Sequence, residues 1–295
     1  MRAPLPLLPL LDDCLRVNQA HNFIYLNNPK VGCSTVKAAV WKAVAPDTFD
    51  PGKGVHDLAR SPFENTVPDP HWIKDAYIFS FVRNPLSRVV SAYLNKIVGR
   101  KDTTWKWFAK THGLKPDTQI SFDQFVELIS QDDPAKLNPH WRPQFLNICY
   151  PFITPDFIGR LENMDGQLPD VLGHIFGKAF DKQTRRKAHA TAAQDTYQSF
   201  YETSQTRDRV EKIYEQDFAY FGYTPDPDAQ APAKGPITAP SGNHAHLMQI
   251  MTYRQMWRPK RKAAVLETHF SSLTDDPYKT WIDAEKTRVE RMAFI

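Results

Sequence analysis

The sequence predicts an α/β fold in which a parallel β-sheet is covered by helices. Three short apolar segments have the composition of buried strands, and each is followed by apolar residues at helical spacing. Strands that alternate with helices favour parallel pairing, because the helix returns the chain to the same edge of the sheet. The chain has 295 residues, 41% of them hydrophobic, which is enough for one large domain with a sizeable core.

The first predicted strand, Phe23–Leu26, leads through a polar loop into a helix predicted over about 35–44. Residues 29–37 read PKVGCSTVK, with one glycine and two hydroxyls after the first lysine. The N–H groups in the first turn of a helix have no intrahelical acceptor, and the helix dipole adds positive potential beside them. The segment is therefore typical of a cradle for a phosphate-like anion, in which Gly32 lets the backbone approach and Lys30 supplies a full charge.

The second predicted strand, Tyr77–Val82, ends in Arg83. Asn84 is a good N-cap and Pro85 suits a first turn, so a helix is expected directly after the strand. An arginine stands where nucleotide hydrolases place the aspartate that holds Mg²⁺, and their motif G-x-x-x-x-G-K-[ST] is absent because here the lysine precedes the glycine. The chain thus offers two anion sites, and a ligand with two separated anionic ends would satisfy both.

The rest of the predicted domain continues the alternation of strands and helices. A third strand is expected over 157–161. Ser121 and Gln124 have the spacing of a capping box at a helix start. Apolar periodicity predicts three further helices, over about 122–131, 164–176 and 207–221.

Composition divides the chain into four segments. Residues 1–21 are interpreted as an N-terminal covering segment rather than a signal peptide, since the apolar start is short, contains prolines and has no small-residue cleavage site. Residues 22–223 form the main domain. Residues 224–243 are rich in proline and alanine and predict a linker, and residues 244–295 form a basic, mainly helical C-terminal extension.

Charge and cysteine content narrow the function classes. A net charge of +4 argues against extensive nucleic-acid binding. The three cysteines are too few and too scattered for a metal site or a disulfide framework, so we expect no metal and a reducing compartment. No run reaches the roughly 20 apolar residues that span a bilayer.

Two motifs together resemble those of sulfotransferases that use 3′-phosphoadenosine-5′-phosphosulfate (PAPS). Residues 29–37 resemble the family's 5′-phosphosulfate loop, and residues 83–93, RNPLSRVVSAY, resemble its 3′-phosphate segment with the same Arg-to-Ser spacing. The resemblance covers about residues 22–223. Three later blocks resemble the carbohydrate type, the chondroitin and HNK-1 enzymes of sulfotransferase family 2, at residues 138–144, 156–162 and 213–223.

This resemblance implies a three-layer, P-loop-like α/β fold, PAPS as the donor, no metal, and transfer of a sulfuryl group to an acceptor hydroxyl. It implies that Lys30 is catalytic and contacts the oxygen that bridges sulfur and phosphorus, and that Arg83 and Ser91 hold the 3′-phosphate. Arg88 is interpreted as a surface residue or an ion-pair partner. The groups expected to hold the 5′-phosphosulfate belong to the loop: Lys30, Val31, Gly32, Cys33, Ser34 and Thr35.

A histidine is expected to act as the general base, because the acceptor hydroxyl must lose a proton and the imidazole pKa lies near neutrality. In the wider family the base commonly comes from the segment between the two anion motifs, which here holds His56 and His71. His56 follows a glycine-containing turn and precedes an aspartate, so it is the predicted base. His140 is an alternative base or an acceptor contact, and Trp141 and Arg142 are predicted to contact the acceptor beside it.

The acceptor stays open between a sugar hydroxyl, which the resemblance favours, a lipid headgroup and a small metabolite. Two other functions also stay open. One is a small-molecule kinase, which would need ATP and a carboxylate for Mg²⁺. The other is a module that binds PAPS without turnover.

Location is predicted from the cysteines and the apolar runs. Golgi members of the carbohydrate type carry Cys-x-Pro-Cys, whereas this chain reads Cys149-Tyr-Pro-Phe152, so the family disulfide cannot form. With the missing membrane anchor, this predicts a cytoplasmic and bacterial enzyme. The basic stretch over 254–262 leaves open a peripheral membrane contact, packing on the core, or a homodimer.

Overall fold

The computed structural model describes residues 11, 14–50, 54–55, 61–64, 68–100, 103–180, 196–228, 235–237, 244–245, 247–248 and 251. Within these residues the chain forms a four-stranded sheet in the order β1-β2-β3-β4. The strands are β1 (Leu15–Asn18), β2 (Phe23–Leu26), β3 (Tyr77–Val82) and β4 (Phe157–Arg160).

The sheet is mixed. β2, β3 and β4 run parallel, as the alternation of strands and helices predicted, with Ile24 opposite Ile78 and Ser80 opposite Ile158. β1 pairs antiparallel with β2. It lies in the segment predicted to cover the domain, and its direction follows from the short turn that joins it to β2, since a parallel pair needs a crossover of about a dozen residues. The predicted α/β class is confirmed, with one antiparallel edge strand added.

Helices and short turns connect the strands. A π-helical segment over Tyr93–Val98 follows directly after the α-helix Pro85–Ala92. None of the helices in the described part of the chain is long and apolar enough to span a membrane. The α-helices that lie within the described ranges are α1 (Cys33–Val44), α2 (Pro70–Ile73), α3 (Pro85–Ala92), α4 (Thr104–Thr111), α5 (Phe122–Ser130), α6 (Gln144–Asn147), α7 (Met164–Phe176) and α8 (Ser204–Phe221).

The predicted starts of α3 and α5 are confirmed, because each is capped by the side chain that the sequence predicted. α5 opens on the expected capping box, in which Ser121 Oγ accepts from the Gln124 N–H (3.2 Å) and Gln124 Oε1 accepts from the Ser121 N–H (2.9 Å). α3 opens on Asn84, whose Oδ1 accepts from the Leu86 N–H (2.9 Å). These caps satisfy N–H groups that have no partner within the helix.

The helices cover both faces of the sheet and make three layers. Successive strand residues point to opposite faces. One face is aromatic and packs with α1 and α7 through Phe23, Tyr25, Phe79 and Phe81. The other is aliphatic and packs with α3, α5 and α8 through Ile24, Leu26, Ile78 and Val82.

Parts of the chain after α8 also pack on the domain. Ile237, in the predicted linker, donates its N–H to the Ile158 carbonyl (3.0 Å) at the open edge of β4. His244 Nε2 lies 3.2 Å from Asp156 Oδ2, and this hydrogen bond raises the histidine pKa. Leu247 and Met251 are fully buried. The start of the predicted extension is therefore part of the core, whereas residues 252–295, with the basic stretch, lie outside the described residues.

Candidate active site

The carboxyl ends of β2, β3 and β4 meet at one edge of the sheet, because these strands are parallel. The loop with Lys30 and Gly32 follows β2, Arg83 follows β3, and Glu162 follows β4. Open α/β sheets bind their ligands at this edge. The structure therefore brings the two predicted anion motifs together.

Left-handed backbone bends the first loop sharply into α1. Lys30 has φ +70° and Gly32, the N-cap of α1, has φ +80°. The Gly32 carbonyl accepts from the Thr35 N–H (2.8 Å) and the Val36 N–H (3.1 Å). Val31 is fully buried. The cradle predicted over residues 31–35 thus depends on the backbone of the loop, the N-terminus of α1 and the half-buried Cys33 and Ser34.

The close packing of the loop around Gly32 can be tested by substitution. A Cβ there would lie 2.9 Å from Met164 Sδ and 3.0 Å from Leu161 Cδ1, whereas one at Gly177, also left-handed, would meet nothing within 4 Å. We expect Gly177→Ala to lower the free energy of unfolding by about 1–2 kcal/mol, the cost of the backbone conformation. Gly32→Ala should cost about 1–3 kcal/mol more, because overpacking is added. Chemical denaturation checks this, and equal losses in the two variants would contradict it.

Two arginines join the two motifs. Arg83 Nη1 donates to the Lys30 carbonyl (3.3 Å), and its Nε donates to Ser87 Oγ (2.8 Å). Arg88 Nε donates to the Pro29 carbonyl (3.0 Å). Consecutive carbonyls of the first loop are therefore bonded to side chains that follow β3.

Arg88 is not a surface residue, contrary to the expectation from the sequence. It is 1% exposed, and it also donates to the Arg142 carbonyl (2.8 Å) and the Pro139 carbonyl (3.0 Å). A guanidinium carries enough N–H donors in one plane to reach several carbonyls at once. Arg88 thus fixes the loop after β2 against the segment that precedes α6.

Of the 3′-phosphate candidates, Arg83 precedes α3 and Ser91 lies on it. Ser87 and Ser91 are one helical turn apart, and Ser87 bonds Arg83. Arg83 is 5% exposed and Ser91 is 3% exposed. Helix geometry therefore places the two residues predicted to hold the second anion on the same side.

The surroundings of Lys30 disfavour its charged ammonium form. Its pKa is lowered to about 7, mainly by burial and in addition by the charges of Arg83, Lys96 and Arg88, while Cys33 acts in the opposite direction. Burial likewise lowers the pKa of Lys37 to about 8. A buried cation favours an anion beside it. Lys96, on the π-helical segment, is one of the charges that act on Lys30, and the sequence analysis did not predict it.

The turn with His140 is held against the first loop. Its Pro139 carbonyl accepts from Arg88 and from Asn147 Nδ2 (2.9 Å). His140 is half-buried, with Nδ1 2.7 Å from Asn138 Oδ1. The Arg88 guanidinium, which bonds both Pro29 and Pro139, therefore holds the turn of His140 beside the loop of Lys30.

Trp141 and Arg142, which were predicted to contact the acceptor, have little exposed surface. The Trp141 ring is 1% exposed and packs edge-on against Phe108 and Phe125. Arg142 is 7% exposed, and its Nε donates to the Leu137 carbonyl (3.0 Å). Both side chains stabilise the turn from within, and a ring enclosed in this way offers no face to a sugar.

Two further histidines lie between the two anion motifs in the sequence. His56, the predicted base, lies outside the described residues. His71 is exposed on α2, before β3 begins. β3 has 6 residues, so its two ends are roughly 20 Å apart at a strand rise of about 3.3 Å per residue. His71 is thus at the edge of the sheet opposite to Arg83.

Several buried or half-buried polar residues at the edge with Arg83 were not predicted. Glu162 Oε1 accepts from the Asn84 N–H (2.9 Å) and its Oε2 accepts from the Tyr223 hydroxyl (2.9 Å). Asn28, Gln144 and Asp217 form a further hydrogen-bonded group. Asp217 had a detectable signal, because a carboxylate on the apolar stripe of a helix needs a buried partner. In the described ranges no three His, Cys, Asp or Glu side chains are grouped so that they could hold a metal ion.

A family model described as "Sulfotransferase family" matches residues 13–224. The chain belongs to the Sulfotransferase family. The resemblance in the two anion motifs is thereby confirmed, and the match includes β1. No solved structure matches the chain.

The sulfotransferase is similar to several carbohydrate sulfotransferases. It is 28% identical to carbohydrate sulfotransferase 14 of Danio rerio over 75% of this chain and 65% of the relative. It is 26% identical to carbohydrate sulfotransferase 11 of Mus musculus (71% and 67%) and 26% identical to carbohydrate sulfotransferase 12 of Mus musculus (72% and 60%). The alignments thus span 60–67% of these relatives. These relatives are vertebrate proteins, and the bacterial origin and cytoplasmic location of this sulfotransferase stay predictions.

Proposed function

We propose that this chain transfers a sulfuryl group from PAPS to a hydroxyl of a carbohydrate. One observation carries the proposal: Arg83 Nη1 bonds the Lys30 carbonyl and so joins the segment that resembles a 3′-phosphate site to the loop that resembles a 5′-phosphosulfate site. A donor with anions at both ends would lie across the two. The names of the relatives support a carbohydrate acceptor.

The residues at the sheet edge fit such a donor. Lys30, the N-terminus of α1 and the hydroxyls of Ser34 and Thr35 would hold the 5′-phosphosulfate. Arg83 and Ser91 would hold the 3′-phosphate, since a guanidinium matches phosphate geometry. The bond from Arg83 Nε to Ser87 fixes the plane of that guanidinium.

The proposed reaction is an in-line displacement. The acceptor oxygen forms a bond to sulfur while the bond from sulfur to the 5′-phosphate oxygen breaks, and the acceptor proton passes to a base. Lys30 stabilises the negative charge that grows on the departing oxygen. Adenosine 3′,5′-bisphosphate and the sulfated acceptor are the products.

Two histidines compete for the role of base. His56 stays the predicted base, and His140 is the second candidate because Arg88 holds its turn against the loop of Lys30. The base should lose about 100-fold or more in kcat when it is changed to alanine. Comparison of His56→Ala with His140→Ala decides between them, and His71→Ala serves as the control because it lies at the opposite edge.

The lowered lysine pKa values predict opposite effects of pH on stability and binding. Lys30 and Lys37 titrate near 7 and 8 in the folded protein but at about 10.5 when unfolded. Between the folded and the unfolded pKa values, the unfolded chain binds more protons than the folded chain. The ligand-free protein should therefore become more stable as pH rises, and it should lose that stability as pH falls through 8 and 7. Binding of adenosine 3′,5′-bisphosphate needs the ammonium form and should weaken about tenfold or more between about pH 7 and pH 9.

Thermal unfolding and calorimetric titration over this pH range check both effects. Lys30→Met should flatten the pH dependence of binding and part of that of stability. Affinity that stays constant up to pH 9 in the wild type would contradict the assignment of Lys30.

Calorimetric titration tests the donor assignment itself. Adenosine 3′,5′-bisphosphate is titrated with EDTA present, and ADP is titrated with and without Mg²⁺. Micromolar binding that favours the 3′-phosphate supports the donor site, whereas a preference for ADP with Mg²⁺ would favour the kinase. Radiolabelled PAPS with polysaccharide, lipid and small-metabolite acceptors then separates an enzyme from a module that only binds.

A further inference from the structure

Gln144 holds both main-chain polar groups of Arg83. Gln144 is the first residue of α6 and is fully buried. Its Oε1 accepts from the Arg83 N–H (2.9 Å), and its Nε2 donates to the Arg83 carbonyl (2.8 Å). Arg83 lies just past the ladder of β3, which ends at Val82 opposite Arg160. A buried backbone that leaves a sheet needs new partners, and one side-chain amide supplies both.

Asp217 fixes the orientation of that amide. Its Oδ2 accepts from the Gln144 N–H (2.7 Å), its Oδ1 accepts from the Phe145 N–H (2.9 Å), and Gln144 Nε2 lies 3.4 Å from Oδ2. A carboxylate only accepts, so the amide nitrogen must face Asp217 and the amide oxygen must face the N–H donors. Asn28 Nδ2 also donates to that oxygen (3.3 Å).

The Asp217 carboxylate takes the place of a helix cap. Pro143, the N-cap residue of α6, provides no side-chain cap, and the two N–H groups at the helix start bond Asp217 on α8 instead. Burial raises the pKa of Asp217 to about 6, while these hydrogen bonds and the charge of Arg88 oppose the rise. α8 thus holds α6, and α6 holds the backbone of Arg83.

We infer that Gln144 is a positioning residue for recognition of the 3′-phosphate. It fixes the backbone from which the Arg83 guanidinium extends, and Asp217 fixes Gln144. The inference rests on the proposed function, because it needs a 3′-phosphate ligand at Arg83. A rigid backbone at this point matters because directed hydrogen bonds lose strength with small displacements of the donor.

The chemistry requires an amide at position 144. A glutamate could still accept from the Arg83 N–H, but as a carboxylate it could not donate to the Arg83 carbonyl, and it would place a second negative charge beside Asp217. A leucine would leave the N–H and carbonyl of Arg83 buried without these partners. Both changes keep the side-chain size roughly constant.

Gln167 on α7 is a matched control. It is 6% exposed, and its Oε1 accepts from the Arg160 N–H (2.8 Å) at the end of β4. It therefore makes the same kind of bond to the end of the neighbouring strand. The Arg83 backbone, in contrast, is bonded by Gln144.

The experiment compares affinities for two nucleotides in the full chain. Calorimetry gives the Kd of adenosine 3′,5′-bisphosphate and the Kd of 5′-AMP. The Kd of 5′-AMP divided by the Kd of the bisphosphate measures selectivity for the 3′-phosphate. Gln144→Glu and Gln144→Leu should each lower this ratio about tenfold, the effect of disturbing a buried hydrogen-bonded pair. Gln167→Glu and Gln167→Leu should lower the Tm but leave the ratio at its wild-type value.

The outcomes separate this inference from the proposed function. A wild type with no preference for the 3′-phosphate would overturn both. A wild type that shows the preference, with Gln144 variants that keep it, would overturn only the inference, as would equal losses in the Gln144 and Gln167 variants. Should Gln144→Leu fail to fold, Gln144→Glu and Asp217→Asn decide by the same ratio.

Discussion

Replacement of Lys30 or Arg83 by alanine should each lower turnover with PAPS by about 100-fold or more, which is the effect of losing one electrostatic contact to the transition state. The two losses should differ in kind. In the proposed reaction Lys30 stabilises the oxygen that departs from sulfur, so Lys30→Ala should lower kcat and keep the preference for a 3′-phosphate. Arg83 is proposed to hold the far end of the donor, so Arg83→Ala should lose that preference and raise the KM for PAPS.

The control for these variants is Lys42→Ala. Lys42 is an exposed lysine in the last turn of α1, away from the loop that precedes the helix. It should keep wild-type kinetics. Steady-state rates at varied PAPS concentration, with Tm values for each protein, make the comparison, and retained turnover in both Lys30→Ala and Arg83→Ala would remove the proposed site.

The second large effect concerns stability. Arg88→Met should lower the free energy of unfolding by about 3 kcal/mol or more, because three carbonyls on two segments lose a buried donor. Methionine removes the cost of burying a charge, but it cannot satisfy the carbonyls of Pro29, Pro139 and Arg142. The loss of three bonds therefore outweighs the gain.

Arg209→Met is the matched comparison for Arg88. Arg209 is on the surface of α8, and its Nη2 lies 3.4 Å from Glu127 Oε1 in an exposed ion pair. Such pairs contribute about 1 kcal/mol or less. Urea denaturation of the two variants should differ clearly, and an Arg88→Met protein as stable as Arg209→Met would show that Arg88 does not hold the loop.

The convergence of the two anion motifs could be predicted from the sequence because its causes are local. Apolar runs mark β2, β3 and β4, caps mark the starts of α3 and α5, and parallel strands end at one edge. β1 was missed because it is only four residues long, too short for the alternation of Leu15 and Val17 with Arg16 and Asn18 to mark a strand. A segment this short gains its strand structure from pairing with β2 rather than from its own pattern.

The supporting contacts of the site could not be predicted, because one or both partners lack a sequence signal. Arg88 bonds three backbone carbonyls, which every residue has, so nothing in the sequence distinguishes it from an exposed arginine. Gln144 and Asp217 meet across 73 positions of the chain. Trp141 beside His140 suggested a sugar contact, but large aromatic rings also fill cores, and here the core contains it.

The bonds from Arg83 and Arg88 to the Lys30 and Pro29 carbonyls have a consequence for the pace of the catalytic cycle. Loops that are tied together by protein groups need little ordering when a nucleotide arrives, so little of its binding free energy is lost to conformational entropy. The same preorganisation acts on the spent nucleotide, which keeps both phosphates after the sulfuryl group has gone. We therefore expect departure of adenosine 3′,5′-bisphosphate, rather than the displacement at sulfur, to limit the steady-state rate, with strong product inhibition as its signature.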